Sequence, residues 1–529
     1  MSRKKELVYQ NGRYAGKYLD EKTCRKLETL LRISEDNGCV EDLKNCIYDL
    51  PKSSIDWVRD SKVDEFVDLP LGELTDLQTV GVAYMYFAKR LILGDSVGLG
   101  KTVEVAGLCN LIEQEYKKKG YDFRFLFLTG KTLVSEIRDK MIKFTGKYVE
   151  DLYGEKAYVE KFIDENWEEL KYSVVGAHSL LKNAQFQQYV MQYESNTGSA
   201  PFDILIIDEA GDVLTNTNTQ NYKSGVILSK YFDRVVLLNA TPFEKELRQF
   251  YAQLSFIDDS FLPCKTDFSK EYEVMKWGRS YPVFSGEYKN ADKFRNLIAY
   301  RYLARTRKLV EAVMRDCTAD VFVSELSPEQ KMLIKSCSMS QMVYDCPSYF
   351  NITGYNICTN IDTTPKLRDL VALLDGKLKN ERSILIYTRY REAQSAIYTE
   401  LNSRGYSVGV LNGSSSIKTR NNITNRFKLG DLQVLVTNVQ KGLDFGDCNH
   451  CIFYDYDPNP NKMVQFEGRM TRQQDIINKH VYLLVSDGKE LKTLQGIVKD
   501  RAKASDLFAG SDYSCVLSLL LNDNKLTNL

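Results

Sequence analysis

The chain has 529 residues, enough for roughly three to four domains, and 43% of them are hydrophobic, as in ordinary globular proteins. Lysine plus arginine and aspartate plus glutamate both number 71, so no overall charge attracts nucleic acid, and any such binding requires local basic surfaces. The sequence has no apolar run of membrane-spanning length and no signal-peptide core, and its 12 scattered cysteines and 3 histidines argue against secretion and histidine-based catalysis.

Residues 1–70 are predicted to form a small accessory region. Lysine and arginine outnumber acids as far as Lys26, and apolar residues then follow helical spacing over 24–33 and 40–50. This pattern favours a solvated helical cap, and a module that contacts DNA or a partner protein is the alternative.

Residues 71–260 alternate short apolar runs with amphipathic helices. Such alternation is typical of a parallel sheet with helices on both faces, and ligands of these sheets bind at the carboxyl ends of the strands. Strands are predicted at residues 90–94, 125–129, 172–175, 204–208 and 235–239.

A glycine-rich turn follows the first of these strands. It consists of Gly94, Asp95, Ser96, Val97, Gly98, Leu99, Gly100, Lys101 and Thr102. Glycines allow close approach to a polyphosphate, and the helix predicted over 102–115 directs N–H groups and its positive end toward it. In this arrangement Lys101 reaches the β/γ-phosphates of a nucleotide, and the Thr102 hydroxyl ligates Mg²⁺. Asp95 replaces the first glycine of the phosphate-loop pattern.

A second Gly-Lys-Thr sequence, at residues 130–132, is not predicted to bind a nucleotide. It also follows a predicted strand, but no cluster of glycines precedes Gly130. The three residues alone are weak evidence for a phosphate site.

The strand predicted over 204–208 ends in two carboxylates. Asp208 is placed to hold Mg²⁺, directly or through water, and Glu209 is placed to orient and polarise the attacking water. A strand ending in Asp-Glu is common by chance, but its position downstream of a phosphate loop favours phosphoryl transfer.

Residues 261–365 break the alternation and are interpreted as a helical insertion, with helices around 291–306 and 327–339. Cations and aromatic residues mix here, but acids interrupt them, so a solvated face is favoured over a nucleic-acid surface. The alternation returns over 366–510 and predicts a second sheet domain, and 511–529 form a short tail. The predicted strands of this domain are 383–387, 407–411, 433–437, 450–454 and 481–485, with helices at 391–403 and 419–428.

Two arginines of the second domain are candidates for contact with a nucleotide. Arg469 and Arg472 are three residues apart and share one face if the segment is helical. Guanidinium groups stay charged and match phosphate oxygens with two parallel hydrogen bonds. The pair could close over a nucleotide that the first domain holds.

These motifs, in this order, resemble those of Swi/Snf-type (SWI2/SNF2-like) members of the superfamily-two helicases and translocases, over about residues 72–510. In that family the loop begins with aspartate, as at Asp95, and Gln78 resembles the glutamine that reads adenine. Segments 238–242, 305–306 and 326–330 resemble motifs of the first lobe and of the linker. The resemblance implies DNA contacts at Lys131, Thr132, Thr388, Asn412, Gly413 and Thr437.

The final motif of the family matches Gln465, Gly468, Arg469 and Arg472, which the resemblance assigns to the arginine fingers. Two positions depart from the pattern. Gly211 stands where relatives often carry histidine, and the sequence around Asp444 is nearer to that of other helicases, which places Asp444 among the predicted nucleotide contacts.

The expected fold is α/β, with two tandem RecA-like parallel-sheet lobes, a helical insertion and a small N-terminal accessory region. The expected function is that of an ATP-dependent translocase on double-stranded DNA that remodels DNA or protein–DNA complexes. Lys101, Asp208, Glu209, Arg469 and Arg472 would be catalytic, with ATP and Mg²⁺ bound. The absence of recognisable chromatin-reading domains suggests a compact bacterial or viral member, located in the cytoplasm of the bacterium or of the virus-infected cell.

Two alternatives share this nucleotide chemistry. One is a branch-migrating or unwinding helicase that acts on forks and recombination intermediates, and the other is a displacement factor associated with RNA polymerase. A replication, recombination or transcription protein would then be a further partner beside double-stranded or branched DNA. A nucleotide-gated binding module without enzymatic activity is disfavoured, because every expected catalytic side chain is present.

Overall fold

The computed structural model describes residues 4–5, 18–19, 74, 76–166, 169–240, 247–277, 282–298, 301–305, 317–326, 328, 365–439, 445, 448–457, 462–463, 466–467, 479–486, 491, 494–496 and 499. The chain divides into two compact units, residues 1–309 with 503–511 and residues 310–502 with 512–529.

The first unit is built around one large parallel sheet. Its strands are, in chain order, β1 (Lys4–Lys5), β2 (Tyr18–Leu19), β3 (Arg90–Leu93), β4 (Phe125–Thr129), β5 (Val149–Leu152), β6 (Ser173–Ala177), β7 (Ile204–Ile207), β8 (Arg234–Leu238), β9 (Glu273–Trp277), β10 (Pro282–Tyr288) and β11 (Tyr302–Leu303). Seven of them form the sheet, in the order β11-β3-β8-β7-β4-β6-β5, and every neighbouring pair is parallel. All five strands predicted for this region are confirmed, with small shifts at their ends.

Helices cover the sheet on both faces. They are α1 (Asp76–Ala88), α2 (Lys101–Lys118), α3 (Val134–Thr145), α4 (Lys156–Glu165), α5 (Ala184–Thr197), α6 (Ala210–Val213), α7 (Gln220–Ser229), α8 (Leu247–Ile257), α9 (Lys265–Tyr272) and α10 (Ala291–Ile298), with 3-10 turns at Lys131–Leu133 and His178–Lys182. In β4, Leu126 and Leu128 join one apolar core, and Phe125 and Phe127 join the core on the opposite face. Side chains alternate along a strand, so burial on both faces explains its unbroken apolar sequence.

The predicted helical insertion also contains strands. The helix predicted over 291–306 ends at Ile298, and β11 then pairs with β3 at the edge of the sheet. Both residues of β11 are buried. The strands β9 and β10 form a separate antiparallel hairpin. Strand pairing, which sequence spacing does not reveal, has overridden the helical pattern.

A strand was also missed at the other edge of the sheet. In β5, Val149 and Leu152 are buried, but Glu150 and Asp151 between them are partly exposed. An edge strand needs few apolar residues, which makes it hard to recognise from sequence.

The second unit holds a six-stranded sheet. Its strands are β12 (Cys317–Ser324), β13 (Ile384–Tyr387), β14 (Val408–Leu411), β15 (Val434–Thr437), β16 (His450–Phe453) and β17 (Lys479–Ser486), and its helices are α11 (Pro365–Asp375), α12 (Arg391–Ser403) and α13 (Ile417–Lys428). The strand order is β12-β17-β16-β13-β15-β14, and again every pair is parallel. The five predicted strands are confirmed, and β12, which lies in the predicted insertion, completes the sheet beside β17.

Several predicted elements lie outside the described residues, including the helices at 24–33, 40–50 and 327–339. Of residues 1–70, the structure describes only the antiparallel pair β1 and β2. Within the described parts of the chain, no helix is both long and apolar enough to cross a membrane.

Candidate nucleotide site

Three neighbouring strands of the first sheet end at the candidate site. The strand β3 leads into the glycine-rich loop, β7 leads into Asp208, and β8, which lies between them, leads into Asn239. Because neighbouring strands are about 4.8 Å apart, the loop and Asp208 leave the sheet roughly 10 Å from each other. The fold therefore places a phosphate-binding element and two carboxylates at the carboxyl ends of neighbouring strands.

The backbone conformation of the loop suits phosphate binding. Gly98 and Gly100 both have a φ of 92°, a conformation that other residues rarely adopt. A Cβ atom on Gly100 would also lie only 2.4 Å from Nε2 of Gln78. The helix α2 begins at Lys101, and its first N–H groups have no partner within the helix. These features fit the phosphates of ATP.

Gln78 supports this loop from α1. Its Nε2 donates a hydrogen bond of 3.1 Å to the carbonyl oxygen of Leu99, and the side chain is buried. The predicted contact between Gln78 and adenine stays a prediction, but the side chain already has a role in the shape of the loop.

Lys101 lies over the same loop. Its Nζ donates to the carbonyl oxygens of Asp95, at 2.6 Å, and Ser96, at 3.2 Å. The ammonium group is therefore held at the loop backbone by two neutral acceptors. An incoming phosphate, which carries negative charge, is a stronger acceptor for the same group.

Asp95 has a different role from the predicted nucleotide contact. Its carboxylate is fully buried and forms an ion pair with Arg305, which is also buried. The same guanidinium donates to Oε2 of Glu104 on α2 at 2.7 Å. The Asp95 side chain is therefore a structural part of the loop, and only its backbone is available to a nucleotide.

Burial controls the ionisation of this cluster. It raises the pKa of Glu104 to about 8, and Asp95 adds to the effect, while Arg305 and Lys101 oppose it. Burial also opposes the charge of Arg305, but the two carboxylates raise the pKa of its guanidinium above the usual value. Burial therefore favours the protonated form of Glu104, while the Arg305 guanidinium keeps its charge beside it.

The acidic pair begins at the end of β7. Oδ2 of Asp208 accepts a hydrogen bond of 3.2 Å from the Thr129 hydroxyl, and the Asp208 carbonyl oxygen lies 2.8 Å from Nε2 of His178. Glu209 has a φ of 47°, which is strained for a residue with a side chain. The chain thus turns sharply at the two carboxylates, and residues at the end of β4 and after β6 are the partners of Asp208.

Thr102 and Asp208 are the residues that could hold Mg²⁺. A hydroxyl and a carboxylate suit this ion, which keeps several waters and takes further oxygens from a nucleotide. Across the described ranges no group of three or more His, Cys, Asp or Glu side chains is arranged to bind a metal. One hydroxyl and one carboxylate fit an ion whose other ligands are waters and phosphate oxygens.

Gly211 and Asn239 are packed against each other beside the acidic pair. A Cβ atom on Gly211 would lie 2.7 Å from Nδ2 of Asn239, and this amide donates to Oε1 of Gln253 at 2.7 Å. Asn239 therefore fills the space that a side chain at 211 would need. Thr241 and Pro242, from the same predicted motif as Asn239, lie outside the described residues.

Some of the predicted DNA contacts are exposed. Lys131 and Thr132 lie on the surface after β4, where Lys131 forms an ion pair with Glu155. Gly413 is exposed on the loop after β14, and Oδ1 of Asn412 shapes that loop by accepting a hydrogen bond from the Ser414 backbone at 3.1 Å.

The other two predicted DNA contacts, Thr388 and Thr437, stay predictions, but their side chains lie in a different environment. Thr388 and Thr437 are fully buried. The Thr388 hydroxyl donates to the Asp455 carboxylate, and Oγ1 of Thr437 accepts from the Val439 backbone at 2.9 Å. Both hydroxyls bond within the second unit at strand ends, so neither side chain reaches the surface.

The remaining predicted site residues lie outside the described residues. They are Asp444, Gln465, Gly468, Arg469 and Arg472. Sequence reasoning also missed Thr129 and His178 as partners of Asp208, since Thr129 ends β4, His178 begins the 3-10 turn after β6, and their own sequence contexts carry no motif.

A parallel α/β sheet with a phosphate loop and an acidic strand end defines a P-loop nucleoside triphosphatase. The family is then given by sequence: the SNF2-related domain matches residues 77–348, and the helicase conserved C-terminal domain matches residues 365–474. The chain belongs to the SNF2-related family and is a helicase-type ATP hydrolase.

Individual relatives agree with this assignment. The chain is 25% identical to YqhH, an uncharacterized ATP-dependent helicase of Bacillus subtilis (strain 168), over 74% of this chain and 71% of that protein. It is 22% identical to SWI/SNF-related matrix-associated actin-dependent regulator of chromatin subfamily A-like protein 1 of Xenopus tropicalis, over 83% of this chain and 45% of that protein. It is 24% identical to the DNA repair and recombination protein RAD54 of Oryza sativa subsp. japonica, over 75% and 46%. The chain thus spans less than half the length of the last two.

A solved structure has the same fold. It is S. cerevisiae Dbp5 bound to RNA and ADP BeF3, with a TM-score of 0.50, 13% sequence identity, and coverage of 87% of this chain and 90% of that chain. The predicted pair of RecA-like lobes is confirmed.

Proposed function

We propose that this ATP hydrolase is a translocase on double-stranded DNA that remodels DNA or protein–DNA complexes. The observation that carries the proposal is that the phosphate loop and the Asp208–Glu209 pair both follow the carboxyl ends of strands in one parallel sheet, in a chain of the SNF2-related family. Relatives named for chromatin regulation and for DNA repair support DNA as the substrate.

The first unit supplies the groups that hydrolysis needs. The N–H groups at the start of α2 and the Lys101 ammonium bind phosphate oxygens, and Thr102 and Asp208 hold Mg²⁺, which neutralises charge on the phosphates. Glu209 orients the attacking water. Arg469 and Arg472 of the second unit act as arginine fingers in this proposal, and ATP-driven movement of the two units steps the protein along the phosphate backbone.

Two exposed surfaces are proposed to touch that backbone. One holds Lys131 and Thr132, and the other is the loop with Asn412 and Gly413. Contacts of this kind read phosphates and carry no base specificity, so binding weakens steeply as salt increases.

The test is a pair of assays on the same preparation. ATP turnover is measured without nucleic acid and with double-stranded DNA, and displacement of a third strand from a triplex reports movement along the duplex. The proposal expects stimulation by duplex DNA and ATP-dependent displacement of the third strand. Turnover that duplex DNA leaves unchanged, or stimulation without any displacement, would contradict translocation.

A specific observation also favours the second candidate, an unwinding or branch-migrating helicase. The β9–β10 hairpin stands apart from the main sheet and carries Trp277 with 82% of its surface exposed, next to the exposed Lys276. Its base is held to the start of α8, where the Leu247 N–H donates to Oε1 of Glu273 at 3.1 Å. An exposed aromatic ring beside a cation can stack on unpaired bases, each stack contributing about 1–3 kcal/mol.

A forked duplex separates this candidate from the first. Under the helicase hypothesis, Trp277→Ala lowers the rate of fork unwinding but leaves basal ATP turnover intact. Tyr121→Ala is the matched control, because that ring is 66% exposed at a loop outside the hairpin. If Trp277→Ala has no more effect than Tyr121→Ala, or if the wild-type protein does not unwind forks, the helicase candidate fails.

A further inference from the structure

Arg305 lies where the first unit ends. It follows β11, and the second unit begins at residue 310. The backbone around Arg305 runs beside the phosphate loop: the Ser96 N–H donates to the Arg305 carbonyl oxygen at 3.0 Å, and the Gly94 N–H donates to that of Leu303 at 2.6 Å. The segment that continues toward the second unit is therefore hydrogen-bonded along the loop that would bind ATP.

The Arg305 side chain is hydrogen-bonded to the same loop. Oδ1 of Asp95 accepts from the Arg305 backbone N–H and from Nε, both at 3.0 Å, and Nη2 is paired with Oδ2. Arg305 and Asp95 are both at most 1% exposed, so water does not weaken this two-pronged ion pair. Gly81 makes the arrangement possible, because a Cβ atom there would lie 2.6 Å from Nη2.

Asp95 links the Arg305 ion pair to Lys101, the lysine that would bind the phosphates. Its carboxylate bonds Arg305, and its own carbonyl oxygen accepts the 2.6 Å hydrogen bond from Nζ of Lys101. Any change in the position of Asp95 therefore moves an anchor of the Lys101 ammonium. Glu104, the second acidic partner of Arg305, lies in the first turn of α2, where its backbone N–H donates to the Gly100 carbonyl oxygen at 3.1 Å, but it provides neither of the two acceptors of Lys101 Nζ.

We propose that Arg305 is a positioning residue for ATP hydrolysis, which acts through Asp95 to hold the phosphate loop and the Lys101 ammonium in place for the phosphates. Arg305 also lies close to the boundary of the first unit at Leu309, so the same contacts hold the end of β11 and Arg305 beside the loop. This inference rests on the ATP-hydrolysing part of the proposed function and is independent of the DNA substrate.

The alternative is that the buried cluster contributes only to packing. Two isosteric variants distinguish these roles, since each replaces one carboxyl partner of the same guanidinium by an amide. Asp95→Asn weakens the ion pair between Arg305 and the phosphate loop, whereas Glu104→Gln leaves that ion pair intact. A packing role predicts comparable effects of the two variants on thermal stability and none on the kinetics of the folded enzyme.

The experiment measures basal ATP turnover, without DNA, for both variants and for Arg305→Lys, which keeps the charge but loses the fork geometry. The inference expects a KM for ATP about tenfold higher in Asp95→Asn, as expected for the loss of a charge-assisted hydrogen bond, and a smaller rise in Arg305→Lys. Glu104→Gln should change KM much less than Asp95→Asn does, because Glu104 provides neither of the acceptors of Lys101 Nζ.

KM does not depend on the amount of folded enzyme, so partial unfolding of a variant does not hide the result. Equal KM changes in Asp95→Asn and Glu104→Gln, or an unchanged KM and kcat in Asp95→Asn and Arg305→Lys, would overturn the inference. Failure of duplex DNA to stimulate the wild-type enzyme would overturn the translocase proposal but leave this test readable.

Discussion

Asp95 and Arg305 are 210 positions apart in the sequence and form a fully buried ion pair at the phosphate loop. The pair explains why aspartate, and not glycine, stands at position 95. The carboxylate holds the end of the first unit against the loop, and the loop backbone remains available to phosphate.

Removal of the Lys101 ammonium should abolish ATP turnover without unfolding the protein. Lys101 is only half-buried and bonds two backbone carbonyl oxygens, so Lys101→Ala leaves no buried charge unpaired. Steady-state ATP hydrolysis and a thermal melt check this. The control is Lys118→Ala, an exposed lysine at the other end of α2, which should hydrolyse ATP at the wild-type rate. Normal turnover in Lys101→Ala would mean that the phosphate site lies elsewhere.

The Glu209 carboxylate should be needed for hydrolysis but not for ATP binding. Glu209→Gln keeps the size of the side chain and the turn at φ 47°, but it cannot accept a proton from the attacking water. We expect ATP affinity within about twofold of wild type and turnover reduced about a hundredfold or more. Equilibrium binding of a fluorescent ATP analogue beside a turnover assay measures both. A variant that binds and hydrolyses ATP normally would remove Glu209 from the mechanism.

The stability of the first unit should fall as pH rises from about 4.5 to 8, through Glu104. Its pKa is 4.5 in an unfolded chain and about 8 in the fold, so the folded state binds the extra proton over that window. The groups that face it are Arg305, Asp95 and Lys101. Glu104→Gln has no proton to lose, and its unfolding free energy should therefore depend less steeply on pH. Denaturant unfolding at several pH values tests this, and identical slopes for the two proteins would contradict it.

A side chain at position 211 should destabilise the edge of the sheet. In Gly211→Ala the new methyl group meets Asn239 at 2.7 Å, and overpacking of this kind costs about 1–3 kcal/mol. Gly130→Ala is the control, since its Cβ would have 3.9 Å to the nearest atom and its φ of −60° suits alanine. Thermal melts of the two variants should differ, and equal melting temperatures would show that Asn239 moves aside freely.

The strands were predictable because both faces of each sheet are buried. Runs such as Phe125–Leu128 and Ile204–Ile207 are apolar at every position, and that signal is local. The strands at β5, β11 and β12 were missed because they lie at sheet edges, where the pairing partner and not the composition decides the structure.

The candidate site was predictable only in its local motifs. The glycines and Lys101 follow from a spacing within a few residues. The role of Arg305 depends on contacts across 210 positions. The Thr388 hydroxyl is bonded to Asp455, which is also distant in sequence, and the Thr437 hydroxyl to the backbone of Val439. Such long-range packing leaves no pattern in a single sequence.

The most direct test of the account is the ATP turnover rate of the full chain with double-stranded DNA, single-stranded DNA, forked DNA and RNA, each beside a Glu209→Gln control. The account predicts strong stimulation by double-stranded DNA, loss of that stimulation as salt is raised, and turnover reduced about a hundredfold or more in the control. A rate that no DNA changes, or that only RNA increases, would contradict it.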